Sequence, residues 1–202
     1  MPGWGSEGPL KDHVAVGFNL VAVSGLSYSW GHPDSSPAAR CKFDYPDFLV
    51  ASLTTLATLS ALYHKTRTGV GQYIEVAQAE TVGNTLAVPF LDYFLNGRAG
   101  DAQGNAHPLH APHGVFPCKG VDAWSAIACM TGDQWRALVP GIGEPAWATD
   151  RSLATTAGRK ANEESLNSNL AQWTAGFTPR QVMHMLQAAG VPATAVQTGE
   201  DL

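Results

Sequence analysis

Leu49, Leu53, Leu56, Leu59 and Leu62 recur at three- and four-residue steps between Asp47 and about Arg67. That period predicts a helix with an apolar stripe about six turns long. The uncharged apolar run that holds it, residues 48–63, is short of the roughly 20 residues a bilayer needs. It is also diluted by Ser52, Thr54, Thr55, Thr58 and Ser60, so the pattern predicts a buried helix and not a membrane span. Lys65 and Arg67 fall in the last turn, where cations complement the helix dipole, and Gly69 and Gly71 end it. Residues 73–77 (YIEVA) read as a short strand, and a second helix is expected over about 80–95, closed by Asn96-Gly97. Upstream, the first 45 residues are rich in Gly, Ser and Pro around one apolar segment, 14–23. Residues 31–40 carry turn chemistry.

Past residue 98 the pattern changes. Residues 98–113 are irregular, with two prolines and three histidines. Residues 115–118 and 124–129 predict a hairpin around Lys119-Gly120-Val121-Asp122. Thr131-Gly132-Asp133-Gln134 has the spacing of a capping box before a short helix, and a further helix is expected over about 162–173. Thr178-Pro179-Arg180-Gln181 opens another with a cap, a proline at the first helical position and a capping glutamine. Gly190 ends it and residues 192–196 read as a strand.

The 202 residues suit one large domain or two small ones. Twelve basic and 17 acidic side chains give a net charge of −5, which argues against a nucleic-acid or anionic-lipid surface. Charged residues make up 14%, against roughly 25% in an average soluble domain, so more surface than usual is expected to be covered, by another chain for instance. Three cysteines, Cys41, Cys118 and Cys129, show no CxxC spacing and point to a reducing compartment. With no signal-peptide pattern at residues 1–10, a cytoplasmic protein is expected.

His107, His110 and His113 invite a metal reading, but Pro108 and Pro112 disfavour the helix that would put them on one face. A ligand-facing loop is the better reading, and no metal is expected. Gly69-Val70-Gly71-Gln72 follows a helix and precedes an extended run, the wrong order for a dinucleotide cradle. No GxSxG elbow is present. The informative carboxylate is Asp47, in Phe43-Asp44-Tyr45-Pro46-Asp47-Phe48. It is either a plain helix cap or a carboxylate shielded by Tyr45, Pro46 and Phe48 and usable as a nucleophile, with Asp44 as its rival.

Several stretches, in order, resemble the family III CoA-transferases, the formyl-CoA and carnitine CoA-transferase superfamily. They are Tyr45-Pro46-Asp47; residues 61–76 (ALYHKTRTGVGQYIEV); residues 91–98 (LDYFLNGR); Gly104-Asn105-Ala106-His107-Pro108; Ala111-Pro112-His113-Gly114; and Gly190-Val191-Pro192-Ala193. The resemblance implies an α/β fold, an α+β mixture in this chain. Residues 1–78 would be the central part of the family's large domain with the nucleophile helix, 79–188 its small α+β domain, and 189–202 the start of the return to the large domain.

It places the nucleophile on Asp47 and the family's glycine loop, a candidate CoA contact, on Gly104, Asn105, Ala106 and His107. CoA would then be a substrate, carried as acyl-CoA, with no permanently bound cofactor. The partners implied are an acyl-CoA, a carboxylic acid, and a second copy or a complementing subunit. The racemases of the superfamily keep the aspartate and add an upstream histidine; Val16 stands at that place, and His13 lies at the wrong offset, which favours transfer over 2-methylacyl-CoA racemisation. Ala51 and Ala106 depart from a glycine and a basic residue common in related chains. The family's N-terminal Rossmann-like region has no counterpart here, so the chain is expected to be about half of a full-length member. A non-catalytic chain, or a subunit needing a partner for the CoA-binding half, is the alternative.

Overall fold

The computed structural model describes residues 1–36 and 44–202; residues 37–43, with Cys41 and the end of the predicted turn stretch, lie outside the described residues. The chain divides into two compact units, Met1–Gly104 and Asn105–Leu202. The fold is a mixed α/β one, with a small antiparallel sheet and several helices.

In the first unit the apolar segment at 14–23 becomes α1, Gly17–Val23. Asn19 organises its start, accepting from the Val16 N–H at 2.9 Å and donating to the Val14 carbonyl at 3.2 Å. A short α2, Leu26–Ser29, follows. The long helix α3 spans Tyr45–Thr68 and ends as its sequence predicts, on Gly69 in the left-handed region (φ 75°). Four of its hydroxyl side chains, Ser52, Thr55, Ser60 and Thr68, donate back to the carbonyls of Phe48, Ala51, Leu56 and His64 at 2.8–3.1 Å.

The expectation of a buried helix does not hold. Only Pro46 and Val50 of α3 are buried, while Leu56 and Leu59 are 62% and 59% exposed. The stripe is real and most of it faces solvent. The reason is supply: the buried cluster of this unit is Val21, Leu26, Val82 and Leu86 with Tyr45 packed on it, enough to cover one end of a 24-residue helix.

Residues 70–77 form no helix or strand, against the expectation of a strand over 73–77. A strand needs an edge to pair with, and the described strands all lie in the second unit. The segment is instead held by the N-terminus: Glu75 Oε1 accepts from the Ser6 N–H at 2.8 Å. The next residues open α4, Gln78–Asn84, whose N-cap, Ala77, offers no side-chain oxygen. Its exposed N–H groups are satisfied by the main chain of the N-terminus, Gln78 N–H to Pro2 O at 3.1 Å and Ala79 N–H to Gly3 O at 2.9 Å.

The single helix expected over 80–95 is two, α4 and α5, Ala87–Asn96. Pro89 has no N–H to give the Thr85 carbonyl, and its ring crowds that carbonyl, so the helix breaks there and restarts with the proline in its first turn. Gly97 (φ 67°) closes α5, and Arg98 folds back onto Asp92, its Nη2 2.6 Å from Oδ1.

The second unit builds a fuller core. Strands β1 (His113–Pro117), β2 (Trp124–Ala128) and β3 (Ala193–Ala195) form one antiparallel sheet in that order. The helices are α6 (Gly132–Gly141), α7 (Thr156–Ala161), α8 (Glu163–Thr174) and α9 (Pro179–Ala188), with a 3-10 turn at Arg151–Leu153. α8 packs on β1, and α9 on β2 and β3. Leu138, Leu166, Leu170, Val182, Leu186 and Ile127 lie in the shared core.

Both predicted capping boxes form. Thr131 Oγ1 accepts from Gln134 N–H at 3.2 Å, and Thr178 N–H donates to Gln181 Oε1 at 2.9 Å. The sequence pattern misses α7, which starts on a Thr155 cap to the Gly158 N–H at 3.0 Å and stops one residue before α8.

Arg159, on α7, is fully buried. Its guanidinium donates to the carbonyls of Ala111 at 2.8 Å and Leu153 at 3.1 Å and to Thr156 Oγ1 at 3.1 Å, and lies 5.2 Å over the Trp135 ring. Carbonyl dipoles and an aromatic face thus meet its charge, and burial lowers its pKa. Arg159→Met strands two buried carbonyl acceptors. It is expected to cost about 2–4 kcal/mol of stability in urea unfolding. Arg159→Lys should cost a similar amount, since one ammonium cannot span the same fork of acceptors.

Candidate functional site

α3 begins after Asp44, which is its N-cap residue, with Pro46 in the first turn. The structure therefore separates the two aspartates. Asp44 takes the cap position without a side-chain cap bond, and its carboxylate stands hard against Gly17, where a Cβ would collide with Oδ1. Asp47 is the third helical residue, so it is not the cap. Nor is it shielded. Tyr45 turns into the small core and Pro46 is buried, but successive helical residues point about 100° apart, and Asp47 and Phe48 come out exposed.

Asp47 instead meets Gln78. The Gln78 side-chain amide donates from Nε2 to Asp47 Oδ1 at 2.9 Å, from the first residue of α4 to the first turn of α3. Oδ2 takes no hydrogen bond among the described residues. The carboxylate lies in the first turn of a 24-residue helix, where the dipole favours negative charge. An accessible carboxylate with one oxygen tethered by a neutral donor is suited to nucleophilic attack through the other. Sequence reasoning missed Gln78. It lies 31 residues from Asp47, and no local pattern marks such a pairing.

In sequence, the glycine-loop residues straddle the boundary between the two units. Gly104, in the first, is left-handed (φ 58°) and donates its N–H to the Gly31 carbonyl at 2.9 Å. A side chain there would place its Cβ 2.6 Å from Nδ1 of the exposed His32, which would have to turn away, and the left-handed backbone favours glycine. Asp47 and Gly104 are thus held by different partners. Asn105, Ala106 and His107 belong to the second unit. Asn105 presents its carbonyl to His113 Nδ1 at 2.7 Å, Ala106 is exposed, and His107 is half-buried. The upstream racemase position, Val16, is the N-cap of α1, and His13 is exposed.

The three histidines do gather. The His107 ring centroid lies 4.7 Å from that of His110 and 5.4 Å from that of His113. His107 Nδ1 accepts from the Leu109 N–H at 3.1 Å, and its carbonyl accepts from Lys160 Nζ at 2.6 Å. Lys160 also pairs with Glu163 at 2.6 Å. Lys160 of α7, paired with Glu163 of α8, therefore ties down the 105–113 segment through the main-chain carbonyl of His107. Among the described residues no group of three or more His, Cys, Asp or Glu side chains is arranged to hold a metal ion. No described helix is long and apolar enough to cross a membrane. Of the cysteines, Cys129 is buried and its thiol is pushed up to about 12, which leaves it a packing residue and not a nucleophile.

Comparison with known proteins gives a consistent result. The model of "CoA-transferase family III" matches residues 1–202. The chain is 33% identical over 205 residues to "Probable CoA-transferase Rv1866" of Mycobacterium tuberculosis, covering 98% of this chain and 26% of that protein. It is 29% identical over 200 residues to the succinyl-CoA–D-citramalate CoA-transferase of Chloroflexus aurantiacus, covering 99% of this chain and 49% of that one. Among solved structures, a CAIB/BAIF family protein from Brucella suis superposes with a TM-score of 0.90 at 28% identity, over 99% of this chain and 52% of that one. The chain thus spans about a quarter of the first of these proteins and about half of the other two.

Burial, and then the neighbouring His110, His113 and Lys160, hold the His107 imidazolium below its ordinary range. The native state then binds fewer protons than the unfolded chain between that lowered value and about 6.5. The contribution of His107 to stability is complete above about pH 6.5 and is lost as pH falls through the lowered value. Thermal midpoints of the chain should fall on acidification across that window, and His107→Gln should flatten the fall.

Proposed function

The chain belongs to CoA-transferase family III, and we propose that it carries the nucleophile of an enzyme that moves CoA between an acyl-CoA and a free carboxylic acid. The observation that carries this reading is Asp47 itself, an exposed carboxylate in the first turn of α3 with Oδ1 held by Gln78 and Oδ2 open. Oδ2 attacks the thioester carbonyl, the C–S bond breaks, and CoA thiolate leaves a mixed anhydride on Asp47. The thiolate then attacks Asp47 Cγ and expels the donor acid, so that the activation is stored as an aspartyl-CoA thioester. An incoming acid runs the two steps in reverse, and no net proton is gained or lost. CoA is a substrate throughout.

By resemblance, Gly104, Asn105, Ala106 and His107 remain our candidates for the family's glycine loop and a CoA contact, and Gly104 has the left-handed backbone that favours glycine. In domain terms, we assign by resemblance residues 1–78 to the large domain, 79–188 to the small one and 189–202 to the return, while within this chain residues 79–104 fall in the first compact unit. Val16 at the racemase position supports transfer over racemisation. Incubated with a panel of acyl-CoAs, the chain should gain the mass of CoA by intact mass spectrometry, and Asp47→Ala should abolish the adduct. An adduct that survives, or that maps to Asp44, rejects the assignment.

A second reading has its own observation. Leu56, Leu59 and Leu62 of α3 and Phe94 and Leu95 of α5 are each more than half exposed, on a chain about half as long as the D-citramalate relative. These faces support a subunit that works in partnership, with a second copy or with a chain supplying the CoA-binding half. Light scattering after size exclusion should then give a mass above the 21.3 kDa of one chain. A thermal shift with millimolar CoA separates the cases, since a chain lacking that half will show none.

A further inference from the structure

We infer that Gln78 is a working part of the transfer reaction: it selects which oxygen of Asp47 attacks and stabilises the oxyanion when CoA thiolate returns to the aspartyl carbonyl. The inference rests on the role proposed for Asp47. It starts from a single contact, Gln78 Nε2 donating to Asp47 Oδ1 at 2.9 Å. The two oxygens of a free carboxylate are equivalent, and this bond makes them unequal. Oδ1 has part of its electron density committed to the amide, while Oδ2 takes no hydrogen bond among the described residues and is the better nucleophile.

The consequence runs through both covalent steps. Once Oδ2 has attacked, it becomes the bridging oxygen of the anhydride and Oδ1 becomes the aspartyl carbonyl oxygen. When the thiolate sulfur adds to Cγ, the carbonyl electron pair moves onto Oδ1, which then carries a full negative charge. Collapse of that adduct breaks the Cγ–Oδ2 bond and releases the donor acid. The same amide donor that touches Oδ1 in the resting carboxylate therefore faces the oxygen on which charge develops. A hydrogen bond to a developing oxyanion strengthens in the transition state, which is what acceleration requires.

Placement supports the role. Gln78 is the first residue of α4, and its backbone is pinned by the Gln78 N–H to Pro2 O bond at 3.1 Å and the Ala79 N–H to Gly3 O bond at 2.9 Å. Ala77 before it is buried, and Val82, one turn on, is fully buried in the core of the unit. The amide is thus presented from a fixed backbone. Being neutral, the amide donates without the Coulombic attraction by which a lysine or arginine there would bind the carboxylate more tightly and blunt its nucleophilicity.

The test uses the full chain and single-turnover formation of the CoA adduct, with Gln78→Leu, which removes the donor, and Gln78→Glu, which keeps the shape and loses the amide. In both variants the rate constant for adduct formation should fall by about 10- to 100-fold, within or below the range seen for loss of one oxyanion donor. The acyl-CoA concentration giving half the maximal rate, and the thermal midpoint, should stay at wild-type values; a purely structural role would move the midpoint instead. If one variant loses several degrees, the other decides. A rate within about threefold of wild type in a folded variant overturns the inference and leaves the role of Asp47 intact. No adduct on the wild-type chain overturns both.

Discussion

The geometry of the candidate site depends on two backbone hydrogen bonds that join the N-terminus to the start of α4. A seven-residue helix is too short to be stable alone, and Ala77 gives it no side-chain cap. The Pro2 and Gly3 carbonyls take the place of that cap. They also fix the helix as a body, which lets the Gln78 side chain reach across to α3. Ser6 and Glu75 add a third link between the same two segments. Ser6 and Glu75 are 69 residues apart in the chain, so the site rests on long-range polar bonds beside a small core.

The two units contrast in how they meet the cost of ordering a chain. The second has a continuous core that runs from the sheet through α6, α8 and α9, with Arg159 satisfied inside it by carbonyls. The first has a four-residue buried cluster and long helices that show their apolar sides to water. The low charge content of the sequence has a direct counterpart in this contrast, because positions that an ordinary surface would give to lysine or glutamate are leucine and phenylalanine on α3 and α5.

Local chemistry was legible in the sequence, and tertiary supply was not. Gly69, Gly97 and Gly190 all adopt the left-handed conformation that helix closure needs, and both threonine capping boxes form as their spacing indicates. The hairpin and the bounds of α3 follow from periodicity to within a few residues. The failures share a cause. A leucine stripe says which side of a helix is apolar, but not whether anything in the chain will cover it. Residues 73–77 have strand composition and no edge to join. Pro89 splits a helix that the apolar period alone would carry through. At the candidate site, resemblance singles out Asp47, whereas its hydrogen-bond partner Gln78 is a matter of how α4 is docked, which no spacing encodes.

The hydroxyl groups of α3 have one more consequence. Ser52, Thr55, Ser60 and Thr68 each spend their proton on a carbonyl one turn back, within their own helix. These donors therefore do not need water to satisfy them. If an apolar surface is laid over this helix, these side chains can leave solvent without stranding a donor, and the desolvation penalty that usually keeps serine and threonine out of dry contacts is already cancelled. The face of α3 that carries these four residues can therefore be covered at less cost than its composition suggests.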